Sequence, residues 1–162
     1  MPSKHAALSA SSSKRWIECP PSAKINISRG DENPSEYAVE GTCAHSLAEY
    51  KVKTLLGIKA EDPTDALQFY DGEMEEAVEG YAGYVSECLE RAKKEGAGYD
   101  AAAEQHLDMS RWIPEGFGTA DAVVMSGETL RIIDLKYGAG IAVSAEENTQ
   151  LMCYALGALY IY

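Results

Sequence analysis

Two long helical patterns give way at Tyr99 to a series of short extended segments, and this change of period limits the folds open to the chain. Ser35 to Leu56 reads as one helix, opened by Ser35 and Glu36, closed by Gly57, with Val39, Cys43, Leu47, Tyr50 and Leu55 at roughly helical spacing. Asp71 to Glu95 reads as a second, its acidic first turns suited to the helix dipole and its end marked by Gly96 and Gly98. Extended segments follow at Asp100–Leu107, Phe117–Met125 and Thr129–Lys136, the last two joined by a tight turn at Ser126-Gly127-Glu128. Glu146 to Tyr162 returns to a helical pattern. Before the long helices, residues 8–18 predict a short helix with serines available as caps, stopped by Cys19-Pro20-Pro21. Ser28 to Pro34 and Lys59 to Phe69 read as loops, the second with a turn at Asp62-Pro63. There is no internal repeat and no low-complexity tract. Helices, a small antiparallel sheet and a final helix predict an α+β (or α/β) domain.

At 162 residues the chain is expected to form one domain, mainly helical over 1–98 and carrying the sheet and last helix over 99–162. No run approaches the roughly 18 apolar residues of a membrane span, and the N-terminus lacks an apolar signal core, so a cytoplasmic protein without a membrane partner is expected. Cys43, Cys88 and Cys153 fall in apolar-periodic segments, and Cys19 stands apart from them. That scatter favours buried thiols over disulfides or a zinc site.

The net charge of −12 excludes a broad basic nucleic-acid surface, yet the charge is unevenly spread. Residues 1–30 carry Lys4, Lys14, Arg15, Lys24 and Arg29 against Glu18, whereas residues 31–100 hold 17 acids against six bases. A nucleic acid would have to meet the N-terminal arm and a metal.

One constellation suggests a chemistry. Leu130 to Ile133 leads to Asp134 and Lys136, two apart and so on one face if the strand continues; Asp121 lies 13 residues upstream in an otherwise apolar segment. A buried acid is costly unless paired or metal-bound. Asp121 and Asp134 supply oxygen ligands of the kind Mg²⁺ and Mn²⁺ prefer, and the Leu135 carbonyl offers another. Lys136 is placed to orient a hydroxide or stabilise a pentacovalent oxyanion. Gln150 and Tyr154, at i and i+4, share a helix face from which to position Lys136 or a phosphate.

These residues resemble a known pattern. Gly118-Thr119-Ala120-Asp121, Ile133-Asp134-Leu135-Lys136 and Gln150-x-x-x-Tyr154 are similar, in order and spacing, to motifs II, III and QxxxY of the PD-(D/E)XK superfamily, in its RecB-like nuclease branch. Leu8-Ser9-Ala10-Ser11-Ser12 through Trp16 to Cys19-Pro20 resembles that branch's serine-rich first helix, Gly41-Thr42-Cys43-Ala44-His45 its G-T-x-x-H motif, and Glu104 a frequent acid on its first core strand. The likeness spans nearly the whole chain and extends to uncharacterised phage-associated RecB-like proteins.

The resemblance implies a restriction-endonuclease-like core, with a small mixed sheet whose central hairpin is flanked by helices. It implies an Mg²⁺- or Mn²⁺-dependent deoxyribonuclease, exo- or endonucleolytic, acting on single- or double-stranded DNA in phage recombination, repair or replication. His45, Asp121, Asp134 and the Leu135 carbonyl become the metal ligands, Lys136 the catalytic lysine, and Gln150 and Tyr154 its helix-borne support. Some relatives bind an iron–sulfur cluster through one N-terminal and three C-terminal cysteines. Cys19 matches the first alone, so no cluster is expected. Relatives also continue with further strands, which implies a C-terminal truncation here.

Taken singly, the residues have plainer readings. His45 is a surface or core-edge histidine, Asp134 and Lys136 an ion pair at a strand end, Glu104 a solvent-facing acid, and His5 and His106 surface residues. Trp16 and Trp112 are core or boundary aromatics, and Tyr137-Gly138-Ala139-Gly140 is a connection rimming the site. The rival function is a nuclease-like acidic protein with little turnover that binds a nucleic-acid-processing or defence complex. The apolar C-terminal helix suggests either a homo-oligomer or a partner protein.

Overall fold

Ser35 begins the first long helix by accepting a hydrogen bond from the Ala38 amide on its side chain, which satisfies one of the four amides a helix start leaves open. A computed structural model describes residues 6–29, 34–95, 98–138 and 143–162. Its elements are a 3-10 turn at Ala10–Ser12, α1 (Ser13–Glu18), α2 (Pro21–Arg29), α3 (Glu36–Leu55), a 3-10 turn at Thr64–Ala66 and α4 (Gly72–Lys94). Then follow β1 (Tyr99–Asp108), β2 (Phe117–Ser126), β3 (Thr129–Ile133) and α5 (Thr149–Ala158). The strands form a sheet in the order β1-β2-β3, and the molecule is α+β. By its internal packing the chain divides into two compact units: the described residues of 1–33, 106–120 and 143–162 in one, those of 34–105 and 121–142 in the other.

In the second unit α3 and α4 pack together and give the sheet its support. The buried positions of α4, Met74, Val78, Tyr81, Val85, Cys88, Leu89 and Ala92, recur every three or four residues and make one stripe. Cys43, Ala44, Leu47, Ala48 and Val52 make the matching stripe of α3, and Ala122, Val124 and Leu135 close the cluster from the sheet side. Lys51 on α3 donates to Glu75 at 2.7 Å and to Glu79 at 2.5 Å on α4, which fixes the register of the pair. Gly57, at φ +70°, ends α3: its N–H donates to the Thr54 carbonyl and that of Ile58 to the Lys53 carbonyl, a paired C-cap needing the left-handed backbone glycine adopts freely. Asp71 caps α4 through the Met74 amide.

β2 and β3 pair antiparallel from Ser126↔Thr129 to Ala122↔Ile133, around a turn whose Gly127 has φ +53°. Arg131 holds the closed end of this hairpin against the end of α4. It donates to Glu95 at 2.6 Å and to Ser126 at 3.0 Å, and Ser126 donates in turn to Glu95.

In the first unit, buried Ser13 on α1 shares a 2.7 Å hydrogen bond with Thr149 on α5. Leu107, Met109, Cys153 and Ala158 are buried there as well. A β-carbon on Gly157 would lie 2.9 Å from the Leu107 Cβ, so α5 can approach that segment only through a glycine.

Several expectations need correcting. Cys19-Pro20-Pro21 stops α1 at Glu18 as expected, but Pro21 also starts α2 at the first helical position, where a missing N–H costs nothing, so Ser28 and Arg29 are helical and not part of a loop. β3 ends at Ile133, leaving Asp134 and Lys136 just beyond the strand. The last helix is shorter than expected, starting after its cap Asn148, which accepts from the Leu151 amide, and ending at Ala158. The sheet among the described residues is antiparallel rather than mixed. Gly96, Ala139, Gly140 and His5 lie outside the described residues. Cys43, Cys88 and Cys153 are buried, as expected, and all four cysteines are free thiols.

Gly157 and Gly83 make opposite predictions. Gly157→Ala should destabilise the protein by about 1–3 kcal/mol through overpacking. Gly83→Ala, exposed mid-helix with nothing within 4 Å of its added carbon, should stabilise by about 0.5–1 kcal/mol. Urea unfolding of the two variants measures both signs.

Candidate functional site

Four of the residues picked out by sequence converge in the second unit. Helical period sets His45 three and seven residues before buried Ala48 and Val52, on the edge of the α3 stripe. Asp121 stands in β2 beside Ala122, one step past the last paired position, Ala122↔Ile133. Its Oδ1 lies 3.2 Å from His45 Nδ1, and its Oδ2 accepts from the Leu135 amide at 2.6 Å. Both carboxylate oxygens of this buried acid are therefore engaged, by groups 76 and 14 residues away along the chain. Asp134, its side chain 5% exposed, accepts a hydrogen bond from the Lys136 ammonium, which is itself 46% exposed.

The chain leaves β3 in time to turn the Leu135 N–H onto Asp121, and this is why the strand stops at Ile133. A continued strand was expected to bring Asp134 and Lys136 to one face. They do meet, but through a direct ion pair outside the strand.

The electrostatics of the group run in one direction. The hydrogen bond to Asp121, helped by the negative fields of Asp121 and Asp134, raises the His45 imidazole above 6.5 despite burial and Lys136. Burial, then the Asp121 charge, raises Asp134 although Lys136 and His45 oppose them. Burial, followed by Asp121 and Glu49, pushes Glu104 up to about 7. Glu104 also holds φ +50° within β1, a left-handed backbone that a non-glycine residue adopts at a cost of about 1–3 kcal/mol. The solvent-facing reading of this residue is replaced by a half-buried acid within the field of Asp121. Its sequence signal was an acid closing the small apolar run Ala101-Ala102-Ala103.

Tyr81 was missed altogether. It lies on the buried stripe of α4 between Val78 and Val85, where an aromatic reads as ordinary core. Yet burial and the charges of Asp121, Asp134 and Glu104 all hold its proton on.

Gln150 and Tyr154 lie in the first unit, on α5, where Gln150 Nε2 donates to the Tyr154 hydroxyl at 3.2 Å. The Tyr154 ring accounts for a motif glycine: a β-carbon on Gly118 would come within 2.8 Å of its Cε1. Gly118 and Tyr154 are thus brought close within the first unit. Trp16 donates to the Ser9 carbonyl at 2.9 Å, a boundary role as expected, and His106 is exposed beside Phe117.

Residues that could hold a divalent cation are His45, Asp121, Asp134 and the Leu135 carbonyl, with Glu104 adding charge. One imidazole among oxygen donors is a set Mn²⁺ accepts and Mg²⁺ tolerates less well. Raised acids in a shared field are also what an added positive charge would relieve. Among the described residues, no three His, Cys, Asp or Glu side chains form a group able to hold a metal as they stand. Asp121 and Asp134 instead spend oxygens on His45, Leu135 and Lys136.

A pH dependence follows. Glu104 binds its proton more tightly folded, at about 7 against 4.5, so its contribution to stability is lost as pH rises across that window. His45, raised above 6.5, has the same sign and acts from there upward. Metal-free protein should therefore lose stability between about pH 5 and 8, and Glu104→Gln should recover on the order of 1 kcal/mol of that loss, allowing for solvent screening. Urea midpoints of both proteins across the range test it.

No solved structure matches the chain. The sequence profile of the DUF2800 family, described as proteins of unknown function, matches residues 5–162. The match takes in every residue of the site, and the chain belongs to the DUF2800 family.

Proposed function

We propose that the protein is a metal-dependent DNA nuclease of RecB-like, PD-(D/E)XK character. The observation that carries this reading is the meeting of His45, Asp121, Asp134 and Lys136, from three separate stretches of the chain, in one half-buried group. Phosphodiester hydrolysis needs these parts: oxygen and imidazole ligands, and a positive charge beside them. His45, Asp121, Asp134 and the Leu135 carbonyl would hold Mg²⁺ or Mn²⁺, which would supply Lewis acidity and lower the pKa of a bound water.

The protein's own groups do the rest. Asp121 is placed by His45 and the Leu135 amide, and a cation would take the place of part of that contact. Lys136, anchored at its ammonium by Asp134 and otherwise exposed, meets the negative charge that collects on a pentacovalent phosphorus. Lys14, Arg15 and Lys24 are exposed on α1 and α2 and offer the nucleic-acid backbone a positive surface in an otherwise acidic protein. Phage recombination, repair or replication is the setting this activity suits.

Incubation with single- and double-stranded DNA and Mn²⁺ should give cleavage that Asp134→Ala and Lys136→Ala each reduce by about a hundredfold or more. Cleavage unaffected by either substitution overturns the mechanism. A folded protein that neither cleaves nor binds Mn²⁺ by calorimetry favours the acidic binding protein instead.

A further inference from the structure

Tyr81 is 9% exposed, and its hydroxyl is buried without a hydrogen-bond partner among the described residues. Buried polar atoms are rarely left so, because a lost partner costs about 1–3 kcal/mol. Phenylalanine in the same place would fill the same space without that cost. The surroundings give the hydroxyl a purpose. Tyr81 packs in one buried cluster with Ala122 and Leu135, the chain neighbours of Asp121 and Asp134. The three groups whose charges act on it are Asp121, Asp134 and Glu104, all acceptors when ionised. Glu104 is held there by a strained backbone.

We propose that Tyr81 is a positioning residue of this site, its hydroxyl donating through one ordered water to the Glu104–Asp121–Asp134 cluster when a divalent cation is bound. The inference rests on the metal-site reading above and adds to it a residue that no motif marks. A phenol suits the task because it stays neutral beside three acids, and a hydrogen bond donated toward them favours and orients their ionised, cation-binding form. A bridging water would find in one phenol and several carboxylates the two to four polar partners it needs.

Tyr81→Phe removes the hydroxyl and keeps the ring. Calorimetric titration of the metal-free protein with Mn²⁺ should show about tenfold weaker binding in this variant, while its melting temperature without metal is unchanged or higher. Val85→Ala, one turn along the same stripe, should lower the melting temperature and leave Mn²⁺ affinity within about twofold, since it loosens the packing without touching a polar group. Equal Mn²⁺ affinity in wild type and Tyr81→Phe overturns the role of Tyr81 and leaves the metal site standing. An equal loss of affinity in Val85→Ala also overturns it, because loosened packing then suffices. Wild-type protein that binds no Mn²⁺ overturns both.

Discussion

The arrangement of the second unit turns on one buried carboxylate. Asp121 sits in a strand whose next three residues, Ala122, Val123 and Val124, are almost fully buried. An acid there is tolerated only if its oxygens find donors, and an isolated one would cost several kcal/mol. His45 and the Leu135 amide are those donors. Each bond ties a different element to β2: one brings in α3, the other turns the chain out of β3 just after Ile133. Satisfying Asp121 and assembling the candidate site are therefore one event. A hydrophobic residue in its place would pack comfortably and leave both connections unmade.

Such a pairing holds only if the elements that bring it together are themselves fixed. The α3 and α4 stripes supply most of the apolar burial, and the cluster extends without interruption to Leu135. Ion pairs add direction rather than much energy. Lys51 bridges α3 to two acids of α4, while Arg131, Ser126 and Glu95 hold the turn end of the hairpin to the end of α4. Partly exposed pairs of this kind contribute on the order of 0–1 kcal/mol each. Their geometric effect is greater, because the hairpin is clamped at its turn while its open end carries Asp121 and leads to Asp134.

Much of this was legible in the sequence wherever local chemistry decides the outcome. Ser35 and Asp71 announce helix starts and Gly57 a helix end; hydrophobic period gives α3 and α4, and the Ser126-Gly127-Glu128 turn gives the hairpin. Asp121 could be named because an acid in an apolar strand is conspicuous, Asp134 and Lys136 from their spacing, and His45 only through the resemblance of Gly41-Thr42-Cys43-Ala44-His45 to a family motif. What failed depended on tertiary context. Cys19-Pro20-Pro21 does end α1, but that the same Pro21 opens α2, whose last residues Ser28 and Arg29 read as loop, was not foreseen. Whether β3 ran on to Lys136 was decided by the Leu135 amide, whose partner lies 14 residues upstream. Tyr81 has no local signal at all. Its significance is the absence of a hydrogen-bond partner among the described residues, and no string of residues displays that.

The electrostatics and the strain point the same way. A region that raises the proton affinity of Glu104, Asp134 and Tyr81, holds Glu104 in a left-handed backbone and leaves a hydroxyl without a partner among the described residues is poorly optimised for stability alone. Apolar replacements at these positions would remove each cost, and natural cores do not retain several such costs at one place without a compensating interaction. A positive charge introduced among the acids would lower their protonation and give the assembled oxygens a common ligand. It would draw His45 and Asp121 from their mutual contact to the cation, and α3 and the hairpin that carry them are already brought together. The energy withheld in the metal-free protein is thus of the right sign to become binding energy. It is confined to the residues that surround Asp121, and the rest of the α3–α4 core carries no comparable conflict.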